Sequence, residues 1–399
     1  MKTKFSGVIR LAIVLLAVVG VQDLRAQTYT YNGAGTSSVF TTAGDWVDSS
    51  NTVQTVAPTS SGYILVFDNT GVPTAGASLT TGVTSATYGK LVDNATGNLT
   101  FAVTTGQTLT FKAADTSSTA AIDMSGTGGN LTFSMPTMAT SYRLSTSSEA
   151  WNVSSGRTLT FMGGQITSTA TTSSTAVTLT GAGNIVINSN IAATNVKWNI
   201  SGANVTMGGA NTYTSATTIS SGKLNVTGSL AATPVTVSGG TLQGSGSIAG
   251  AVSVASGAVL QAGTDAVTTG TVLTLSGGLT MATGSTLEFV LGAGNTHTTL
   301  ALNSASTNTL ASGLTLTLLG TMAAGTYTDI ITGLTSDPGT EGSWTITNAG
   351  ETATFSYDLA GGGINLTLQS VPEPETVSLL TLGCGILLFG MRKRLRLAV

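Results

Sequence analysis

Short runs of alternating apolar and polar residues recur throughout the chain between residues 27 and 370. The clearest runs are NLTFAV (98–103), TLTFKA (108–113), NLTFSM (130–135), TLTFMG (158–163) and NIVINS (184–189). An apolar side chain at every second position is the period of a β-strand, and the bordering Gly, Asn and Ser residues favour turns. Helical periodicity is nearly absent here, so the sequence predicts an all-β fold of many short strands.

The middle of the chain repeats one pattern of strand, Ser-Gly or Gly-Gly turn, and strand. The repeated segments are TTISSGKLNV (217–226), VTVSGGTLQG (235–244), VSVASGAVLQ (252–261) and LTLSGGLTM (273–281). Aligning them on Gly222, Gly240, Gly257 and Gly278 gives nearly regular spacings. A unit of about 20 residues cannot bury its apolar face alone, so the pattern predicts a β-solenoid whose stacked coils share one core.

One repeated segment is similar to a known family. GGANTYTSATTISSGKLNVTGSL (208–230) resembles the autotransporter-associated β-strand repeat, also called the passenger-associated transport repeat. The matching residues are Gly209, Asn211, Thr212, Tyr213, Thr214, Thr217, Thr218, Ile219, Gly222, Leu224 and Val226. Ser215 stands where the family usually has Gly. The resemblance implies a right-handed parallel β-helix, and it does not by itself imply an autotransporter.

The charge distribution excludes one class of partner. The chain has 14 Lys and Arg residues and 17 Asp and Glu residues. Eight of the bases lie before residue 27 or after residue 391, whereas 14 of the acids lie between residues 27 and 370. A mildly acidic body with few, scattered bases offers no surface that could follow a phosphate backbone, so nucleic-acid binding is not expected. The single cysteine, Cys384, cannot form an intramolecular disulfide.

The N-terminal segment, 1–26, has the pattern of a secretory signal peptide. Lys2, Lys4 and Arg10 precede an apolar run at 11–21 that is too short to span a bilayer. Cleavage is predicted between Ala26, a small residue, and Gln27. The expected partners in export are therefore the secretory translocon and signal peptidase.

The C-terminal segment, 371–399, combines a proline-rich stretch, an apolar stretch and a basic cluster. Positions 371–374 read Val-Pro-Glu-Pro, which cannot form a helix interior, and positions 377–391 carry no charge. The bases that follow are Arg392, Lys393, Arg394 and Arg396. Bases stay on the cytoplasmic side, so the sequence predicts a single C-terminal transmembrane helix with the body outside. A helix over 377–391 spans about 23 Å, and snorkelling of the bases extends this reach.

This tail resembles the PEP-CTERM sorting signal in all three parts and in their order. The resemblance implies recognition by exosortase, a membrane cysteine peptidase, with Pro372, Glu373 and Pro374 as the recognised tripeptide. It implies that the basic residues act as stop-transfer residues. It also implies a Gram-negative bacterium in which the protein is held transiently in the inner membrane before delivery to the cell surface or extracellular matrix.

These patterns divide the chain into five regions. They are a signal peptide (1–26), an N-terminal β-rich region (27–207), the repeat region (208–290), a C-terminal capping region (291–370) and the sorting tail (371–399). Trp46 is predicted to cap the first coil, and segments 322–331 and 363–370 are predicted to close the last one, because exposed sheet ends promote aggregation.

Candidate catalytic residues are few. His297 is the only histidine and is expected to be an exposed turn residue. Polysaccharide-degrading β-helices use acids on adjacent coils, and the pairs considered are Asp45 with Asp48, Asp115 with Asp123, and Asp265 with Glu288. Few bases and aromatic residues accompany these acids. No catalytic residue, metal site or cofactor is therefore expected.

The sequence thus favours a non-enzymatic, exported protein with a structural or adhesive role and an association with exopolysaccharide. Two alternatives remain. One is a β-helix polysaccharide lyase or hydrolase, and the other is an envelope protein that stays permanently anchored in the membrane.

Overall fold

The computed structural model describes residues 27–370, apart from gaps at 34–41, 43, 56, 59–61, 73–75, 81–84, 113–119, 146, 172–174, 265–267 and 348–350. The described chain consists of short strands, turns and two 3-10 helices. The predicted all-β fold is therefore confirmed. The predicted signal peptide and sorting tail lie outside the described residues.

The strands are numbered in chain order. The first twelve are β1 (Gln27–Tyr31), β2 (Trp46–Asp48), β3 (Tyr63–Phe67), β4 (Ala77–Thr80), β5 (Ala86–Tyr88), β6 (Lys90–Asp93), β7 (Leu99–Ala102), β8 (Thr108–Phe111), β9 (Ala120–Met124), β10 (Leu131–Met135), β11 (Ser141–Leu144) and β12 (Glu149–Val153). The next twelve are β13 (Thr158–Gly163), β14 (Gln165–Ser168), β15 (Thr175–Thr180), β16 (Asn184–Ile187), β17 (Asn190–Ile191), β18 (Val196–Met207), β19 (Ala210–Asn211), β20 (Thr217–Val226), β21 (Ser229–Leu230), β22 (Val235–Val237), β23 (Thr241–Gly244) and β24 (Ser247–Ile248). The last twelve are β25 (Val252–Val254), β26 (Val259–Ala262), β27 (Val272–Leu275), β28 (Leu279–Met281), β29 (Thr286–Leu291), β30 (Thr299–Leu302), β31 (Asn308–Leu310), β32 (Thr315–Gly320), β33 (Gly325–Thr332), β34 (Thr345–Ile346), β35 (Glu351–Asp358) and β36 (Gly363–Ser370). The 3-10 helices are Ala293–Asn295 and Glu341–Ser343.

Successive strands pair in parallel with the strands of the next coil. In one coil, β12, β13 and β14 follow one another, and they pair with β15, β16 and β17 of the next coil. The same threefold pattern recurs along the chain and forms long parallel sheets. This arrangement is consistent with a β-helix, in which every coil pairs its backbone groups with the coils on both sides.

We call the three stacks of strands faces 1, 2 and 3. Face 1 contains β1, β3, β6, β9, β12, β15, the first halves of β18 and β20, β22, β25, β28 and β31. Face 2 contains β4, β7, β10, β13, β16, the second halves of β18 and β20, β23, β26, β29, β32 and β34. Face 3 contains β5, β8, β11, β14, β17, β19, β21, β24, β27, β30 and β33. Because β18 and β20 run through both, faces 1 and 2 form one continuous 23-stranded sheet.

The core of face 2 is an unbroken column of aliphatic side chains. Its members occupy the same register position in successive coils: Leu99, Leu131, Leu159, Ile185, Val205, Leu224, Leu242, Leu260, Leu287 and Leu316. All of them are buried. Burying each such side chain contributes about 1.5–3 kcal/mol, so the column explains why alternating strands of such modest size stack stably.

The stack has a cap at each end. At the first end, β2 pairs antiparallel with β1, and Trp46 packs edge-on against Tyr31 and Phe67 at 5.3 and 5.4 Å between ring centroids. At the other end, β36 pairs antiparallel with both β33 and β35. Trp46 lies at the end where the sequence predicts a cap, and the predicted closing segments 322–331 and 363–370 overlap β33 and β36.

The short, regular coil expected from the sequence holds only in the middle of the chain. Register partners there follow one another at short and nearly equal intervals, as in the series Val205, Leu224 and Leu242. Towards the ends the interval grows, and the register partners Leu99 and Leu131 are much further apart in sequence. The extra residues lie in the connections between strands, which can lengthen without disturbing the buried column.

The alignment of the four turn glycines was only partly right. Gly222 and Gly240 are equivalent, since the residues that follow them pair in register. Gly278 is different, because it precedes a face 1 strand, β28, whereas Gly222 and Gly240 precede face 2 segments. The residue after Gly278, Leu279, pairs with Val252. Two corners of the coil carry Ser-Gly or Gly-Gly turns, and the sequence pattern does not tell them apart.

The residues that carry the family resemblance build one corner of a coil. The Asn211 side chain donates to Gly209 O and Ser229 O, and its Oδ1 accepts from Ile191 N. It therefore joins three coils where β17 and β19 are not paired as strands. The buried Tyr213 hydroxyl is 2.8 Å from Thr217 Oγ1.

Candidate functional site

The predicted sorting and processing residues lie largely beyond the described range. Pro372, Glu373 and Pro374, the four tail bases and Ala26 all fall outside it, whereas Gln27 is the exposed first residue of β1. No helix within the described part of the chain is both long enough and apolar enough to cross a bilayer. The predicted transmembrane segment at 377–391 lies outside that part.

Asp45 and Asp48 have different surroundings. Asp45 is fully buried, and neither of its carboxylate oxygens has a hydrogen-bond partner among the described residues. The Asp48 carboxylate accepts from the backbone amides of Ser50 and Thr52, which lowers the pKa of Asp48 below its usual value. Asp48 therefore stabilises a turn rather than facing a shared substrate space with Asp45.

The other two carboxylate pairs are described by one member each. Asp123 forms an ion pair with Lys90 at 2.6 Å, and Asp115 lies outside the described residues. Glu288 is half-buried on face 2, where it stands in register between Gln261 and Thr317, and Asp265 lies outside the described residues. Among the described residues, no group of three His, Cys, Asp or Glu side chains is placed to hold a metal ion.

His297 differs from its expected exposed position. It is partly buried beside β30, and its Nδ1 is 2.9 Å from the carbonyl oxygen of Thr298. Leu291 and His297 form an antiparallel bridge, which folds the connection between β29 and β30 into a small lobe. The backbone turns back on itself in this lobe, and the imidazole ring of His297 is therefore partly buried.

Besides Asp45, two further acids are buried in the described residues, Glu149 and Asp93. Burial raises the pKa of the Glu149 carboxyl to about 7, against the opposing hydrogen bonds from Ser145 N and Trp151 Nε1. Burial raises the pKa of Asp93 to about 6, against the opposing charge of Arg157. Both acids are enclosed, so they bear on stability and not on a solvent-facing reaction.

The outward surface of face 2 carries two parallel columns of side chains, which are polar apart from Val186 in the part described below. On every strand the buried aliphatic residue is flanked by two outward positions, which lie about 6.6 Å apart along the strand. The first column contains Thr158, Asn184, Asn204, Lys223 and Thr241. The second contains Thr160, Val186, Thr206, Asn225, Gln243, Gln261 and Glu288.

The two columns line an open cleft of about 350 Å³. Its walls include Asn184 and Asn204 from one column and Asn225 and Gln243 from the other. Lys223 lies on the same strand as Asn225, in register with Asn204. The volume lies within the range of about 300–1,000 Å³ that is usual for small-molecule sites. The lining comes from five successive coils, so the cleft is elongated along the axis of the stack.

Buried amide atoms without hydrogen-bond partners among the described residues lie at one end of the cleft, on Asn225 and Gln243 of its lining and on Gln261 in the next coil. Gln243 is 4% exposed and Gln261 is fully buried, although both occupy outward positions. Within the described residues, Asn225 Oδ1, Gln243 Oε1 and both polar atoms of Gln261 are buried without a hydrogen bond. A backbone bridge between Gly244 and Gly263 lies beside them. Each unsatisfied buried polar group costs about 1–3 kcal/mol, so this cluster needs a reason beyond stability.

Sequence reasoning did not identify this cleft. The signal was present, because Asn225, Gln243 and Gln261 recur at equal intervals on the polar side of alternating strands. What the pattern could not show is that the Gln243 and Gln261 side chains are buried, since outward positions of a strand are ordinarily exposed.

Comparisons with known proteins returned no matching family model, curated protein or solved structure.

Proposed function

We propose that the protein is an exported, non-enzymatic β-solenoid of the cell surface or extracellular matrix, with a structural or adhesive role in contact with exopolysaccharide. In this proposal the body is a right-handed parallel β-helix, because connections between parallel strands of one sheet are almost always right-handed. Exosortase sorts the protein through the tripeptide Pro372, Glu373 and Pro374.

The observation that carries the proposal is the repetition of outward polar side chains on a rigid stack. Hydroxyl and amide groups recur at every coil on face 2. Many weak contacts at a fixed repeat bind a repetitive polymer with an avidity that no single contact supplies.

The charge of the body agrees with such a partner. The six bases between residues 27 and 370 are Lys90, Lys112, Arg143, Arg157, Lys197 and Lys223. Arg157 is enclosed in the core and Lys90 is paired with Asp123. A polyanion would find few cations on this surface, whereas amide and hydroxyl groups match the hydroxyl groups of sugars.

Retention on polysaccharide tests the proposal. Protein recovered from the extracellular fraction of its own host is passed over immobilised exopolysaccharide from the same cells. The column is run in low salt and again in about 0.5 M salt, where charge interactions are screened beyond a Debye length of about 4 Å. Retention that survives the higher salt supports contacts through neutral groups. Passage through the column in both conditions removes the proposed association.

A further inference from the structure

We propose that the face 2 cleft, lined by Asn204, Lys223, Asn225 and Gln243, is a binding site for an uncharged, extended oligosaccharide that lies along the axis of the stack. This inference rests on the proposed function and assigns its polysaccharide contact to one place on the molecule.

The shape of the cleft selects an extended chain. Five coils contribute to its walls, and coils in a parallel stack are about 4.8 Å apart. The cleft therefore follows the stack for roughly 19 Å while its width is set by two columns about 6.6 Å apart. A narrow, straight groove that is open along one side accommodates a linear chain of sugar rings better than a compact one.

The chemistry of the walls selects hydroxyl groups. An amide presents both a donor and an acceptor, and so does a sugar hydroxyl, so each can satisfy the other. Asn184, Asn204 and Asn225 place such amides on both sides of the cleft. Lys223 is the one charged residue on the lining, among four amide side chains. The lining therefore favours an uncharged glycan over a uronic acid polymer.

The unpartnered amides at one end of the cleft point to a ligand. Gln243 lies on the lining, is only 4% exposed, and has an Oε1 without a hydrogen bond within the described residues. Asn225 Oδ1, next to it in register, is in the same state. Terminal amide torsions are soft, so a small rotation turns either oxygen toward a hydroxyl donor in the cleft. A glycan hydroxyl would supply the missing partner.

A leucine substitution separates a binding role from a structural one. Gln243→Leu keeps most of the side-chain volume and removes the unpartnered amide. If Gln243 serves the cleft, the substitution leaves the thermal midpoint unchanged or raises it, and it weakens glycan binding at least tenfold. Asn225→Ala is the second cleft variant. Thr236→Val is the matched control, because Thr236 is an exposed residue of the same coil as Gln243 but on face 1.

Binding is measured by calorimetric titration of the full chain in mild detergent with four uncharged hexaoses, namely cellohexaose, mannohexaose, xylohexaose and laminarihexaose, and with trigalacturonate as the charged probe. The inference expects at least one hexaose to bind, both cleft variants to lose at least tenfold in affinity, and Thr236→Val to match the wild type.

Three results would overturn the inference. They are binding of none of the hexaoses, equal binding by the cleft variants and the control, or tenfold tighter binding of trigalacturonate than of every hexaose. If the protein is still retained on exopolysaccharide in any of these cases, the proposed function stands and only the assignment of the site fails. If retention is lost as well, both fail.

Discussion

Arg157 and Asp93 form a buried ion pair that joins two coils across a third. The guanidinium Nη2 lies 2.5 Å from Asp93 Oδ2, and Nη1 donates to the Asp93 carbonyl oxygen at 2.6 Å. The Arg157 side chain crosses the intervening coil, where its Nε donates to the carbonyl oxygen of Gly129 at 2.7 Å. Both side chains are almost fully buried. The guanidinium therefore interacts with protein groups and links three coils along the stack.

Removing Arg157 should be strongly destabilising. Arg157→Ala leaves the Asp93 carboxylate buried without its partner, and breaking a buried pair in this way costs about 3–5 kcal/mol. The free energy of unfolding in urea, followed by tryptophan fluorescence, measures the loss. Lys90→Ala is the matched control, because the Lys90–Asp123 pair is more accessible to water and should contribute at most about 1 kcal/mol. Equal losses of unfolding free energy for the two variants would show that the buried Arg157–Asp93 pair contributes no more to stability than the Lys90–Asp123 pair.

The Glu149 carboxyl should make the protein less stable as pH rises. Its pKa is about 7 in the fold, against 4.5 for an ordinary glutamate, so between these values the folded state holds a proton that the unfolded state has released. The free energy of unfolding therefore falls through this window, by about 3 kcal/mol in all. This loss of stability is absent below pH 4.5 and complete above pH 7.

Glu149→Gln imitates the protonated acid and should flatten this pH dependence. Urea unfolding at several values between pH 4 and pH 8 provides the measurement. Asp93, whose pKa is also raised, contributes a slope of the same sign, so the variant should retain a smaller decline. A variant whose stability falls as steeply as that of the wild type would exclude Glu149 as the source.

The stacked rings of Phe101, Phe133 and Phe161 should be a major source of stability in the first half of the stack. Phe133 lies between its neighbours at 5.4 and 5.0 Å between ring centroids, nearly parallel to both. Phe133→Ala should cost about 3–5 kcal/mol. Thr132→Ala, on the outward side of the same strand, should change the thermal midpoint little. A loss in Phe133→Ala no larger than in this control would argue against the stacked arrangement.

Two turn glycines with the same backbone conformation should differ in their tolerance of a side chain. Gly222 has φ +78° and a Cβ there would collide with Ala203 O, whereas Gly257 has φ +77° and open space around it. Gly257→Ala should cost only the left-handed strain of about 1–2 kcal/mol. Gly222→Ala adds a clash with the adjacent coil, so its thermal midpoint should be clearly lower. Similar midpoints would mean that the coils are not in such close contact.

The strands themselves were predictable from the sequence, because their signal is local. Runs such as NLTFSM and TLTFMG coincide with β10 and β13, and alternation alone is enough to identify them. The register between coils was harder to predict from the sequence. Inserting residues into an outer connection changes the spacing without changing the buried column, so Gly278 could not be placed on the correct corner from spacing alone.

The buried polar groups could not be predicted, because enclosure depends on distant parts of the chain. Arg157 follows an ordinary Ser-Ser-Gly turn, and its partner Asp93 is far away in sequence. The polar character of Gln243 and Gln261 is visible in the sequence, but their enclosure depends on neighbouring coils and on the Gly244–Gly263 bridge. The proposed sorting motif is the opposite case, since a short linear signal is read entirely from sequence.

Intact-mass spectrometry of the mature protein, with the Glu373→Ala and Glu375→Ala variants made in its own host, tests the proposed export and sorting most directly. The account predicts that the wild type and Glu375→Ala end between residues 371 and 376 in the surface or extracellular fraction, whereas Glu373→Ala, altered inside the recognised tripeptide, keeps the chain intact to Val399 in the membrane fraction. A wild-type protein found only with Val399 intact in the membrane would contradict the account.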